Sequence, residues 1–147
     1  MWTGLPPMPS NDGAMRLRRI YEIGVYALVA DVVLQLFLAG LLFFVSGTFI
    51  EWHRTYNALV MFVLCIALVI VGWRLKYDRL TVGMPAIIMG MEIMQSILLI
   101  PYHDTSLPTA VRAISALHVV NGVAIFWVAL QLMDRVRHPR GAAARAS

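Results

Sequence analysis

Polar residues inside otherwise apolar stretches of this chain are the ones whose types and spacing suit chemistry. His53 is followed by Asn57, and His118 by Asn121. Residues three or four apart lie on one face of a helix, so each histidine shares a face with an asparagine. Ionisable side chains are costly inside a membrane and are therefore candidates for function there, and imidazole nitrogens are good metal ligands. The two histidines are the first candidates for a binding site.

Two acidic residues with nearby glutamines form a second pattern. Asp31 and Gln35 are four residues apart, and Glu92 and Gln95 are three apart. The chain therefore resembles two helical hairpins, each with an acid and a glutamine in its first helix and a histidine and an asparagine in its second. Because the second and fourth helices run in the same direction, we expect both histidines near one end of a bundle.

Two inward imidazoles from two helices of a four-helix bundle can hold a haem iron from both sides. The sequence thus predicts His53 and His118 as metal ligands. Arg54 and Arg112 are candidates to bind the haem propionates, since guanidinium groups pair well with carboxylates. The second nitrogen of each imidazole needs a hydrogen-bond partner, which a backbone carbonyl or a nearby amide can supply. The candidate amides are Gln35, Gln95, Asn57 and Asn121.

The elements that position these residues are membrane helices. With 60% hydrophobic and 14% charged residues and a mean hydropathy of +0.74, the 147-residue chain is more apolar than soluble domains of this size. A hydrocarbon core of about 30 Å needs roughly 20 residues of helix. The fold class is predicted as all-α, an integral membrane four-helix bundle of two hairpins. The predicted apolar segments are 21–46, 52–73, 83–101 and 113–133.

The basic residues predict the orientation. Every lysine and arginine except Arg54 and Arg112 flanks the same end of these segments. Basic residues mark the cytoplasmic side, so both termini of a multi-pass protein are expected in the cytoplasm. The net charge of +4 then favours anionic lipid of the bilayer over nucleic acid as a partner. We expect a flexible cytoplasmic segment at 1–20, a transmembrane domain at 21–134 and a basic cytoplasmic tail at 135–147.

Four motifs resemble those of an uncharacterised family of small four-helix bacterial membrane proteins, and the plan is similar to one half of haem A synthase. That resemblance implies His53 and His118 as axial haem ligands and Glu51 as an acid near the site. Glutamate and histidine are separated by one residue here rather than two, and only one bundle is present, so the resemblance does not imply a complete synthase reaction. The motifs are Gln35-Leu-Phe-Leu-Ala-Gly40, Glu51-Trp-His53-Arg54, Met94-Gln95-Ser-Ile-Leu98 and Leu117-His118-Val-Val-Asn121.

Bis-histidine ligation fills both axial positions of haem b, which favours electron transfer, here with a quinone or a partner protein. A haem-free accessory or structural subunit of a larger membrane complex is the first alternative. The candidate protein partners are a larger membrane complex or a second copy of the chain in a homodimer, and the resemblance implies a multi-pass protein of the bacterial cytoplasmic (inner) membrane. A small proton-coupled transporter with Asp31 and Glu92 as proton sites is the second. The sequence contains no arrangement of nucleophile, base and acid, so no catalytic residue is predicted. An electron-transfer or accessory protein is expected rather than a stand-alone enzyme.

Overall fold

The computed structural model describes residues 11–138, apart from the side chains at positions 11, 57, 58, 102 and 103. This part of the chain is helical and contains no strand, which confirms the all-α prediction. Its elements are α1 (Asn11–Phe44), a 3-10 turn (Gly47–Phe49), α2 (Ile50–Thr55), a π-helical segment (Tyr56–Met61), α3 (Phe62–Arg74), α4 (Arg79–Leu98), α5 (Ile100–His103), α6 (Thr109–Arg112), a second 3-10 turn (Ala113–Ala116) and α7 (Leu117–Arg137).

Four runs of helix are long and apolar enough to cross a membrane. Each one contains most of a predicted apolar segment, and the second and fourth combine several short elements in a single run. We call them the first to fourth spans. They are Asp12–Phe44, Gly47–Arg74, Arg79–Leu98 and Thr109–Arg137.

The first helix begins earlier than the sequence predicted. It starts at Asn11, so the second half of the segment expected to be flexible, 1–20, is helical. Met15, Leu17 and the arginines around them have high helix propensity, and Asp12 in the first turn offsets the helix dipole. At the other end α7 continues to Arg137, inside the predicted tail. The remainder of both predicted terminal segments, 1–10 and 139–147, lies outside the described residues.

Each span buries one stripe of side chains, with members three or four positions apart as expected for one helix face. The opposite faces are also apolar: Phe37 is 60% exposed, Val63 59% and Trp127 62%. Such a surface is unfavourable in water and suited to lipid. The buried residues include Tyr21, Val25, Leu28, Val32 and Gln35 in the first span, Met61, Cys65 and Leu68 in the second, Thr81, Ile88, Glu92 and Gln95 in the third, and Ile125, Ala129, Leu132 and Val136 in the fourth.

Tight packing closes one end of the bundle, where the first span begins and the second ends. We call it the tyrosine end, and its residues are Tyr21, Gly72, Tyr77, Asp78, Thr81 and Arg135. The buried Tyr21 hydroxyl donates to the backbone carbonyl of Thr81 at 3.4 Å, and the Tyr21 and Tyr77 ring centres are 5.0 Å apart. A Cβ added to Gly72 would lie 3.0 Å from the Tyr21 ring. Only a glycine therefore lets the second span approach the first this closely.

Asp78 joins two helices at the tyrosine end. Its carboxylate accepts hydrogen bonds from the backbone N–H groups of Leu80 and Thr81 and so caps the first turn of α4. Arg135, near the end of α7, pairs with the same carboxylate at 3.0 Å. The ion pair links the third span to the fourth, and the Tyr21 hydrogen bond links the third to the first.

Candidate functional site

The structure brings the two predicted histidines together in the half of the bundle away from the tyrosine end. The ring centres of His53 and His118 are 6.4 Å apart, and the ring planes are inclined by 64°. We call this half the histidine end. Along the first span, Gln35 lies about 20 Å from Tyr21 at 1.5 Å per residue, so the two ends are well separated. The site and the tightly packed cluster thus occupy different parts of the same bundle.

A change in helix type helps to position His53. The π-helical segment Tyr56–Met61 lies between His53 and α3 and ends at the buried Met61. In a regular α-helix two residues eight positions apart differ by roughly 80° in direction, because each residue turns about 100°. A π turn holds more residues and offsets part of this rotation. Both His53 and Met61 consequently line the same cavity.

Backbone carbonyls of the preceding spans hold the histidine rings. His118 Nδ1 lies 3.1 Å from the carbonyl oxygen of Gln95. A carbonyl oxygen only accepts, so Nδ1 carries the hydrogen and donates it, and Nε2 is the nitrogen with a lone pair for a metal. The His53 ring is hydrogen-bonded to the backbone of Gln35 in the same manner. The sequence allowed either a backbone carbonyl or a side-chain amide as the hydrogen-bond partner of each imidazole. In the structure the partner is a backbone group in both hairpins.

The predicted amide residues have a supporting role. Asn121 Nδ2 donates to the carbonyl oxygen of Met91 at 2.9 Å and to Gln95 Oε1 at 3.0 Å, which joins the third and fourth spans beside His118. Gln35 and Gln95 are both buried. The side chain of Asn57 lies outside the described residues, so its predicted role stays a prediction.

A cavity of about 70 Å³ lies beside the two rings. Both histidines, Gln35 and Gln95 line it, so four of the eight predicted site residues share one cavity. Its volume corresponds to about two water molecules at roughly 30 Å³ each. Apolar residues complete the walls. The additional lining residues include Val32, Leu36, Met61, Val119 and Ile125.

Two further lining residues, Glu92 and Gly122, were absent from the predicted site. Glu92 is 4% exposed and lies three residues before Gln95. This spacing puts both residues on one face of the helix, and it was the signal in the sequence that could have identified Glu92 as a site residue. A Cβ at Gly122 would lie 3.3 Å from Gln95 Nε2. Glycine therefore preserves space one turn after His118. The sequence indicates that Gly122 is near the site but not that its missing side chain shapes the cavity.

The predicted arginines lie away from the cavity. Arg54 Nη1 is 3.5 Å from Glu51 Oε1, and these side chains are 71% and 73% exposed. Glu51, the acid implied by the resemblance, therefore points to the surface rather than into the histidine pair. Arg112 is partly buried at the end of α6 and does not line the cavity. Propionate binding by Arg54 and Arg112 stays a prediction.

The separation of the rings suits one metal between them. A metal–imidazole bond of about 2 Å, together with roughly 1 Å from the ring nitrogen to the ring centre, places the two centres about 6 Å apart when the ion lies in line between the rings. Two imidazoles are the full axial set of a haem iron, whose other four ligands come from the macrocycle. Within residues 11–138, no group of three or more His, Cys, Asp or Glu residues is placed to hold a metal ion.

The resemblance to haem A synthase stays a prediction after comparison with known proteins. No protein-family model, no curated protein and no solved structure matches the chain.

Proposed function

We propose that this chain is a membrane haem protein that binds one b-type haem through His53 and His118 and passes electrons to or from a quinone or a partner protein. The observation that carries the proposal is the pair of histidine rings with centres 6.4 Å apart, contributed by two different spans. A haem bound there supplies reversible one-electron redox chemistry. Two histidine ligands leave no open axial position, which favours electron transfer over reactions with oxygen.

The neighbouring residues have defined tasks in this proposal. The carbonyl of Gln95 orients the His118 ring and, by accepting its Nδ1 hydrogen, makes Nε2 a better donor to a metal. The backbone of Gln35 holds His53 from the first span. Asn121 fixes the side-chain amide of Gln95, which would otherwise be free to turn into the cavity. The apolar walls exclude water and lower the local dielectric constant around the site.

The proposal also includes a membrane and an orientation. We place the protein in the bacterial cytoplasmic membrane, with the tyrosine end on the cytoplasmic side. Arg18, Lys76 and Arg135 belong to the group of basic residues at that end, and this distribution of charge supports the orientation. The haem then lies in the outer half of the bilayer. A quinone dissolved in the same lipid is a suitable electron partner for a site at that depth.

The test is a reduced-minus-oxidised absorption spectrum of the purified protein, expressed with ample haem supply. We expect sharp b-type bands in the wild type and a near-complete loss in His53→Ala and in His118→Ala, because each change removes one axial ligand. His138→Ala is the matched control. That histidine is exposed, follows the end of the fourth span and pairs with Asp134 at 3.1 Å. It should keep the full spectrum.

Circular dichroism and size-exclusion chromatography establish that each variant is folded. A well-folded wild type with a featureless spectrum contradicts the haem proposal and favours the haem-free accessory subunit. Full bands in either His53→Ala or His118→Ala mean that the ligands lie elsewhere.

A further inference from the structure

The cavity beside the histidine pair has exposed residues in its wall where the first and fourth spans meet. Leu36 on the first span and Val119 on the fourth both line it, and they are 41% and 60% exposed. The lining residues Met61 on the second span and Gln95 on the third are buried, at 1% and 9% exposed. The cavity thus reaches the lipid-facing surface between the first and fourth spans, and buried side chains form its opposite wall.

Gly122 widens the cavity beneath this opening. A Cβ at that position would lie 3.9 Å from Leu36 Cδ2 on the first span and 3.3 Å from Gln95 Nε2 on the third, so any larger side chain would narrow the cavity where these two spans meet the fourth. Gly122 lies one helical turn after His118, on the buried face of α7. The glycine therefore keeps side-chain bulk out of the cavity wall beside the proposed haem ligand.

The cavity is too small to enclose a whole macrocycle. Its volume of about 70 Å³ is smaller than the roughly 300–1000 Å³ that ligand sites usually have. A ligand of macrocycle size held by both histidines must extend beyond the closed part. The opening at Leu36 and Val119 is apolar and faces lipid, which suits the apolar edge of a planar tetrapyrrole.

We propose that a planar tetrapyrrole enters the histidine site sideways from the lipid, between the first and fourth spans, and that its edge lies in the opening between Leu36 and Val119. We call this opening the lateral portal. The inference rests on the proposed haem function and adds the route and the exposed edge. A tetrapyrrole partitions into lipid, so a portal on the lipid-facing surface receives it without passage through the polar ends of the bundle.

The experiment compares two tryptophan variants one turn apart on the same helix. Val119→Trp places an indole at the portal, whereas Val123→Trp places it on lipid-facing surface that is 56% exposed and does not line the cavity. Haem-free wild type and variants in detergent are mixed with haem, and the rate and final amount of uptake are followed by absorbance. We expect Val119→Trp to slow uptake roughly tenfold or to lower the final amount, because its entry step is obstructed. Val123→Trp should stay within about twofold of the wild type.

The outcomes separate the portal from the haem function. Equal uptake by the two variants, whether fast or slow, overturns the lateral portal while leaving haem binding intact. A wild type that takes up no haem overturns the proposed function and the portal with it. Both positions are exposed, so the larger side chain replaces no buried packing and the fold is retained in both variants. Melting temperatures of the haem-free proteins verify this.

Discussion

The two ends of the bundle are built differently. At the tyrosine end Tyr21 packs against Gly72, and Asp78 pairs with Arg135, so the helices are held by direct contact. At the histidine end the spans surround a cavity, and hydrogen bonds to backbone carbonyls connect them. In lipid, helices associate through close packing and interhelical hydrogen bonds, because apolar burial alone gives little advantage. We infer that one end stabilises the bundle and thereby allows the other to keep a cavity.

The middle of the bundle separates these ends. Leu28, Ile88 and Ala129 are 0% exposed and lie between the tyrosine end and the histidine end. Side chains that pack densely transmit strain, yet substitutions that share no partners usually act independently. We therefore expect changes at one end to leave the other largely unaffected. Substitutions made at each end in turn test that independence.

The largest effect on stability is expected from Gly72→Leu at the tyrosine end. The new side chain meets the buried Tyr21 ring, with its Cβ alone at 3.0 Å, and extra bulk in a packed interior costs about 1–3 kcal/mol. Gly40→Leu is the matched control, since a Cβ there has nothing within 4 Å, and it should change the free energy of unfolding by less than about 0.5 kcal/mol. Unfolding in a denaturing detergent, followed by circular dichroism, measures both variants. Equal stability of the two would mean that the Tyr21–Gly72 contact does not hold the bundle.

A smaller effect is expected from Asn121→Ala at the histidine end. It removes the donors to Met91 and Gln95, and interhelical hydrogen bonds in membranes contribute about 0.6 kcal/mol each, so the loss should be about 1 kcal/mol. The acceptor for His118 is a backbone carbonyl and remains in place, so the variant should still bind haem. Gln131→Ala, an exposed amide on the same span, is the control and should be neutral. Complete loss of haem from Asn121→Ala would show that the amide network, and not the carbonyl, orients His118.

Much of the fold and part of the site could be predicted from the sequence. The four spans follow from the length of the apolar segments, and the meeting of His53 with His118 follows from helix direction and spacing. The partner of His118 could not be predicted, because a backbone carbonyl has no signature in the side-chain sequence. The π-helical segment was also unpredictable, since no local motif in the sequence marks it.

Glu51 and Gly122 show that closeness in sequence to a histidine does not define a residue's role in the site. Glu51 is close to His53 in the sequence, yet it pairs with Arg54 at the surface because residues three apart on a helix can bond to each other instead of turning inward. Gly122 lies four residues after His118 in the sequence, but only the structure shows that it packs against Gln95 and lines the cavity. The shape of a cavity depends on all four spans together and is not encoded in any one of them.

The smallest effect is expected from acid acting on Asp78 at the tyrosine end. The Thr81 hydroxyl, backbone N–H groups and Arg135 bind the carboxylate and lower its pKa from 3.8 to about 2. A lowered pKa in the folded state means that this contribution to stability is complete above about pH 4 and is lost as the pH falls towards 2. Because Asp78 is exposed to solvent, its ion pair should contribute less than about 1 kcal/mol.

The variant Asp78→Asn tests this contribution, because asparagine keeps a good helix cap but removes the charge. Its melting temperature should be slightly lower than that of the wild type at pH 7. Between pH 4 and pH 2 its melting temperature should change less than that of the wild type. If both proteins lose the same stability over that range, the acid sensitivity comes from other carboxylates, and the pairing of Asp78 with Arg135 does not stabilise the tyrosine end.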